Sequence, residues 1–390
     1  MDAFKLTSWN VEWLVDAFDV ATGAVAPGSR RHKRRMPTAV QAVAKLTALQ
    51  REVGEIDPEI LLLIEAIPDP DRMSEFVEMY LPEYQLIRRE GQPKEAYHIQ
   101  GEQWMWFLTK PALKNLRAAQ LLDVATWQAY TRKIYTDQES RRQHRDGQWW
   151  VSVPKIDKTR KLVGAHVLSP HAHYRHPQVL VLDWDGIRVE FIGVHLKSKF
   201  TGISVPRRAP NENDKDYFTR EDVVFFMANA VVARAKLSTE ATDVRHYIDQ
   251  RFAQEPLPAI FVLGDMNDGP GKELLEREYL LHDLISNLQG DVFFARQFLN
   301  HALFDNPDAL RWTVEFEDEL DPKRSPHILL DHIVFTEALS RRGIGPLIVE
   351  PGMGKVEHEI HDRIASVLPH GMAVSDHRPA TLVVSRRQPA

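Results

Sequence analysis

The sequence predicts a protein of mixed helix and strand, because short apolar runs that read as strands recur along the chain with helical stretches between them. One pair of runs is joined by Asp185-Gly186, a dipeptide that tolerates the positive φ of a tight turn. The runs also share a chemical property at their ends. The last polar stretch, Val374-Ser375-Asp376-His377-Arg378-Pro379, leads into the apolar run Ala380-Thr381-Leu382-Val383-Val384. Alone, an Asp-His pair beside a turn-forming proline is ordinary surface. However, Thr7-Ser8-Trp9-Asn10-Val11-Glu12, Leu61-Leu62-Leu63-Ile64-Glu65, Phe191-Ile192-Gly193-Val194-His195 and Ile260-Phe261-Val262-Leu263-Gly264-Asp265-Met266-Asn267 end in residues of the same kind. Strand ends on a rigid sheet are where precise sites are built.

Each element follows from local pattern. A first strand covers residues 3–9, and the basic run Ser29-Arg30-Arg31-His32-Lys33-Arg34-Arg35 is a solvated loop or a contact to a phosphate backbone. Pro37 opens a helix whose apolar positions Val40, Val43, Leu46, Leu49 and Val53 recur every three to four residues. The apolar run 60–64 reads as a strand buried on both faces, and Glu65 at its end needs a partner such as a cation to offset burial. A helix at 71–80 and strands at 84–88 and 102–108 follow, the last rich in sheet-favouring aromatics.

Residues 112–174 are the least regular part and read as an insertion. Arg132, Lys133, Arg141, Arg142, Arg145, Lys158, Arg160 and Lys161 alternate there with Trp127, Tyr130, Tyr135, Trp149 and Trp150. Such a mixture either grips a nucleic-acid strand or packs its aromatics inward with its charges in water. Beyond it, a hairpin at 178–184 and 187–195 delivers His195, followed by Lys197 and Lys199. A long helical stretch runs from 219 to 252 with a break expected near Ser238, and Pro256 and Pro258 hand over to a strand at 259–263. A strand at 328–335 carries Asp331, and a polar loop is expected at 352–361. The histidines from His166 to His176 and from His358 to His361 have no spacing that suits a metal site and are expected in solvated loops. With no internal repeat and no linker rich in Gly or Ser, 1–390 is expected to be a single domain carrying the 112–174 insertion.

Composition narrows the chemistry. The chain of 390 residues is 43% hydrophobic, ordinary for a globular protein, and Lys+Arg 49 against Asp+Glu 55 leaves a net charge of -6. No global field attracts polyanions, so nucleic-acid binding would rest on local basic patches or on a metal that consumes several acids. The absence of cysteine excludes disulfides, thiolate metal sites and cysteine nucleophiles. No leader pattern precedes the first strand, and no run approaches the roughly 18 apolar residues of a membrane span. A soluble, cytoplasmic protein is expected.

The strand-end motifs Ser8-Trp9-Asn10-Val11-Glu12, Leu63-Ile64-Glu65, Glu102-Gln103-Trp104, His195-Leu196-Lys197-Ser198-Lys199, Gly264-Asp265-Met266-Asn267, Leu330-Asp331-His332-Ile333 and Ser375-Asp376-His377 together resemble the endonuclease/exonuclease/phosphatase superfamily, its deoxyribonuclease-like branch and bacterial relatives most closely. Each is short, but they stand in that family's order across nearly the whole chain. The resemblance implies an α+β fold, a four-layer α/β sandwich of two packed, mostly antiparallel β-sheets flanked by helices, with the site at one rim. It also implies hydrolysis of a phosphate ester with Mg²⁺ or Mn²⁺, cations that suit hard oxygen ligands.

By the same resemblance, Glu65 is the leading metal ligand, with Glu12 and Asp376 as helpers. Asp265 would orient or deprotonate the attacking water, Asn267 would steady it, and Asn10 and Lys197 would contact a phosphate. His195 and His377 would stabilise charge on the phosphoryl oxygens or protonate the leaving oxygen. In that branch each imidazole is held by a carboxylate, and the sequence offers Glu102, or else Glu95, for His195 and Asp331 for His377. His332 faces the other side of its strand by alternation and is expected to be structural. The function expected is a metal-dependent phosphodiesterase, a nuclease acting on DNA or RNA. A phosphatase or phosphodiesterase for a small-molecule or lipid-headgroup ester and a non-catalytic binding module are the competing readings.

Overall fold

The computed structural model of the chain describes residues 3–29, 36, 38–89, 91–113, 118–132, 144–145, 148–157, 162–269, 274–278, 281, 283–318, 320–321, 323–369 and 372–388. The basic run 30–35, Pro37 and the insertion's Lys133, Tyr135, Arg141, Arg142, Lys158, Arg160 and Lys161 lie outside these residues, as do the side chains of Arg132 and Arg145.

Two sheets carry the core. The first orders its strands Leu347–Ile348, Ala380–Arg386, Ala3–Asn10, Ile60–Ala66, Trp104–Thr109 and Gln85–Leu86, with Gly354–Val356 also paired to Ala380–Arg386. The second orders Asn300–His301, Asp331–Phe335, Ala259–Asp265, Ile187–His195, Gln178–Trp184 and Gln120–Leu121. One central pair in each sheet is parallel, Ala3–Asn10 with Ile60–Ala66 and Ile187–His195 with Ala259–Asp265. The neighbouring pairings are antiparallel.

The sheets meet face to face. Phe4 packs on Trp184 with ring centroids 5.0 Å apart, and a Cβ on Gly193 would sit 3.0 Å from Leu62 of the opposing sheet. Leu61, Leu62, Leu63 and Ile64 are all fully buried, as the apolar run at 60–64 predicts, and each such side chain contributes about 1.5–3 kcal/mol. Leu46, Phe76 and Ile364, on helices Ala39–Ile56, Pro70–Tyr80 and His358–Ala365, join the core of the first sheet. Leu237, Val244 and Ile248 of helix Glu221–Gln254, with Leu284 and Leu288, cover the second. The result is the expected α+β sandwich of four layers.

Several local expectations are corrected. In helix Ala39–Ile56, capped by Thr38, Val40 and Val43 are exposed, and the buried row runs through Ala42, Leu46, Leu49, Val53 and Ile56. Those two valines fall one residue off the packed face. Helix Glu221–Gln254 continues through Ser238, whose hydroxyl donates to Arg234 O at 2.9 Å instead of breaking the turn. Asp331–Phe335 is shorter than predicted, with Ile328 in a separate ribbon against Val314–Glu315. The predicted polar loop at 352–361 holds strand Gly354–Val356 and the start of helix His358–Ala365, where His361 is buried and hydrogen-bonds Glu52 at 2.9 Å.

Within 112–174, the described residues are more regular than the sequence implies. They include helix Val124–Arg132 and an antiparallel hairpin of Gln148–Ile156 with Leu162–His171. The hairpin is fastened to the long helix, with Trp149 Nε1 donating to Asp243 at 3.0 Å and His171 Nε2 meeting Glu240 at 2.9 Å. Trp127 stacks on Tyr247 at 4.5 Å and Tyr130 lies against the same ring, so these two aromatics pack inward. His176 is buried, and the His173 ring contacts Asp243 at 3.1 Å, which corrects the solvated loop expected there. Among the described residues no helix is long and apolar enough to cross a membrane.

Candidate active site

Register brings the strand ends to one rim. Asn10 pairs with Ile64 across the parallel pair of the first sheet, and in the second His195 pairs with Asp265, which pairs in turn with Asp331. The backbone is forced at these ends. Glu12, Glu65 and Asn267 have φ of 49°, 58° and 51°, a region that costs most side chains about 1–3 kcal/mol and that clusters at functional sites. Glu65 is the extra residue of a bulge, since Ile64 pairs with Met105 and Ala66 already with Trp104, and a bulge re-aims the side chain it carries. Gly264 has φ 140°, and a Cβ there would lie 1.9 Å from Val194 O, so only glycine lets the His195 and Asp265 strands approach this closely.

Side chains from six segments converge. The Asn10 amide Nδ2 donates to Asp265 Oδ2 at 3.1 Å and lies 3.4 Å from Glu65 Oε1 and 3.5 Å from His377 Nε2. His195 Nε2 stands 3.6 Å from Asp265 Oδ2 and 3.9 Å from Glu65 Oε1. Glu65 Oε2 accepts the Trp13 N–H at 3.0 Å, and Asp265 Oδ1 accepts the Asn267 N–H at 2.9 Å. His377 Nδ1 meets Asp331 Oδ2 at 2.7 Å. That loop is pinned, because Trp9 Nε1 donates to His377 O and the Ser375 hydroxyl donates to Asn10 O.

The two imidazoles are pushed in opposite directions. Burial alone would lower His377, but the carboxylates of Asp331, Asp265 and Asp376 overcome it and push its pKa up to about 10. His195 is held well below the ordinary histidine value by burial first, then by the charges of Arg175, His377 and Lys197. Burial raises Asp265 to about 7, helped by Asp331 and Glu65 and opposed by His377. Glu65 is likewise raised by burial, with His377 opposing. The site therefore joins a charged imidazolium, a neutral imidazole and two carboxylates short of compensation.

Not every expected residue takes its expected place. Glu102 is exposed and no hydrogen bond joins it to His195, whose Nδ1 is buried without a hydrogen-bond partner among the described residues. Glu95 is exposed as well. The position beside His195 belongs instead to buried Arg175, whose Nε donates to His195 O at 3.1 Å and whose other nitrogens reach Gln103 and Leu196 O at 3.0 Å. A cation there adds to the burial that keeps His195 uncharged. Glu12 sets its Oε2 on the Lys45 ammonium at 3.1 Å, so a metal at that carboxylate would compete with Lys45. Asp376 lies at the half-exposed rim, 4.0 Å from His377 Nε2. Asn267 Nδ2 donates to Leu196 O, and Lys197 Nζ to Ser198 O at 2.5 Å. His332 is structural as expected, bonded to His301 at 2.9 Å and to Asp268 O at 2.8 Å. Arg175, Thr313 and Ser375 went unassigned because they act through backbone atoms of distant residues; Thr313 accepts the Asp331 N–H.

The donor set fits a hard divalent cation. Among the described residues no three carboxylate or imidazole side chains are grouped so as to hold a metal ion by themselves. Mg²⁺ uses one or two carboxylates and completes its octahedron with water and substrate oxygens. Glu65, whose pKa burial raises first and Asp376 raises further, is the buried rim carboxylate that could serve such an ion.

No family model matches the chain, and no curated protein matches it. Similar solved structures include TDP2 from C. elegans, at 14% identity and a TM-score of 0.47, over 99% of this chain and 75% of that one. The human Nocturnin catalytic domain with bound sulfate anion is similar at 13% identity and 0.42, over 99% of this chain and 97% of that one. An endonuclease/exonuclease/phosphatase family protein from Bacteroides thetaiotaomicron is similar at 11% identity and 0.44, over 99% and 98%.

Proposed function

We propose that this chain is a divalent-metal-dependent phosphodiesterase of the endonuclease/exonuclease/phosphatase kind that hydrolyses nucleic acid by in-line attack of an activated water. The observation that carries the reading is the meeting of Asn10, Glu65, His195, Asp265 and His377, brought from separate strand ends, within 3.1–3.9 Å of one another in the pairs that face.

Asp265, with a pKa near 7, is suited to accept the proton of the attacking water at neutral pH. Asn10 holds Asp265 Oδ2 through one N–H, and Asn267 fixes Oδ1 through its backbone, so the base has one orientation. The His377 imidazolium, held by Asp331, offers Nε2 to a phosphoryl oxygen, where a fixed positive charge stabilises the developing negative one. Neutral His195 offers a hydrogen bond without adding charge. Bound at Glu65, with Asp376 reaching from the rim, Mg²⁺ or Mn²⁺ would polarise the phosphate and offset its charge.

A cleavage panel tests this reading. Single- and double-stranded DNA and RNA are each supplied with Mg²⁺, Mn²⁺ or chelator, and a phosphomonoester is run beside them. Metal-dependent cleavage of nucleic acid is expected, and Glu65→Gln should raise the metal concentration for half-maximal rate at least about tenfold. Full activity in chelator, or hydrolysis of the monoester alone, would refute it. The second outcome would favour the small-ester phosphatase.

A further inference from the structure

Beside the candidate catalytic centre lies a second concavity, a cavity of about 520 Å³ between the hairpin of the insertion and the residues that follow His195. Arg175, Lys197 and Lys236 line it, with His171 on one wall and exposed Gln100 and Gln148 at its lip.

Position ties this cavity to the catalytic centre. Arg175 donates to the backbone of His195 and Leu196, and the carboxylates of Asp265 and Glu65 act on its charge. Lys197 is two residues from His195. Charge sets the cavity apart from the chain as a whole, which is net -6. Burial lowers the Lys197 ammonium first, and Arg175 and Lys236 lower it further against Glu240 alone. Like charges gathered on one wall destabilise a fold, and a bound anion relieves them.

The wall is built, not a chance fold of surface. Glu240 on the long helix accepts the Lys197 N–H at 2.7 Å and meets His171 of the hairpin at 2.9 Å. One buried carboxylate thus joins the insertion to the loop that follows His195. Trp127 and Trp149 are spent on packing and on Asp243, and the charge and amide groups share the cavity wall with Tyr174, Pro170, Ala172 and Ser198.

We infer that this cavity is a second phosphate site, which takes a phosphate neighbouring the one hydrolysed on the same nucleic-acid strand, with Lys197 and Lys236 supplying charge and Gln148 and Gln100 neutral donors. The inference rests on the phosphodiesterase reading and adds which part of the strand is held. A terminal phosphate and an internal diester present the same chemistry, and substrate choice separates them.

The test compares three substrates: a dinucleoside monophosphate, the same molecule carrying a terminal phosphate, and a trinucleotide. In the wild-type protein at low salt, a second phosphate should raise kcat/KM about tenfold, a gain that salt erodes. Whichever extended substrate gains identifies the source. In Lys236→Glu the gain should vanish, and Lys236→Ala, a mild change on a helix, should show most of that loss. Circular dichroism checks that both variants fold. Equal gains in wild type and variants, or no gain in the wild type, would overturn the second site. Binding of a labelled trinucleotide in chelator reads the cavity without catalysis. Lys236-dependent binding by a protein that hydrolyses none of the substrates would refute the phosphodiesterase reading while leaving the second site standing.

Discussion

His377 and His195 are buried near the same carboxylate, yet one is charged and the other neutral, because their neighbours differ as well as their burial. Asp331 holds one ring and Arg175 stands by the other. In metal-free protein, His377 should titrate near 10 by NMR, and Asp331→Asn should bring it down toward or below the ordinary histidine range. The sign for stability follows. A histidine pKa raised by folding stabilises fully below its unfolded value of about 6.5 and loses that contribution as pH rises through about 10. Asp331→Asn should flatten that dependence. An unchanged His377 titration in the variant would contradict the assignment. The Asp331 partnership was legible because both residues sit in short motifs at strand ends. The pairing of Glu102 with His195 was not, since it rested on a degenerate pattern and the true neighbour, Arg175, is a cation that reaches His195 through its backbone.

At the scale of elements, chemistry depends on backbone placed where most residues resist it. The bulge at Glu65 and the close approach at Gly264 set two carboxylates at the rim. Gly264→Ala should destabilise the protein by more than about 2 kcal/mol, because its Cβ would meet Val194 O and φ is unsuited to it. Urea unfolding measures this, and an unshifted midpoint would show that the strands do not approach as described. Strands and the Asp185-Gly186 hairpin were legible because their patterns are local: period two, apolar runs and turn dipeptides. The hairpin of the insertion and helix His358–Ala365 were not, because their histidines look solvated until Glu240, Asp243 and Glu52 are brought beside them by the fold. The exposed Val40 and Val43 make the same point, since an apolar stripe fixes a helix's face only to within a residue.

Over the whole molecule, two sheets packed face to face turn their strand ends to one rim, and that arrangement lets residues from Asn10 to His377 share a centre. The net charge of -6 conceals a division of labour between carboxylates in that centre and cations in the cavity beside it. Whether that centre performs hydrolysis is measured most directly with Asp265→Asn, on plasmid DNA and on a small aryl phosphodiester, with the melting temperature as control. A buried carboxylate that folding already pushes toward neutrality can become an amide at little cost to stability, so the variant should melt no lower than the wild type. Its turnover of both substrates should fall at least about a hundredfold. Wild-type turnover in a folded variant would contradict the placement of the catalytic base, and with it the centre.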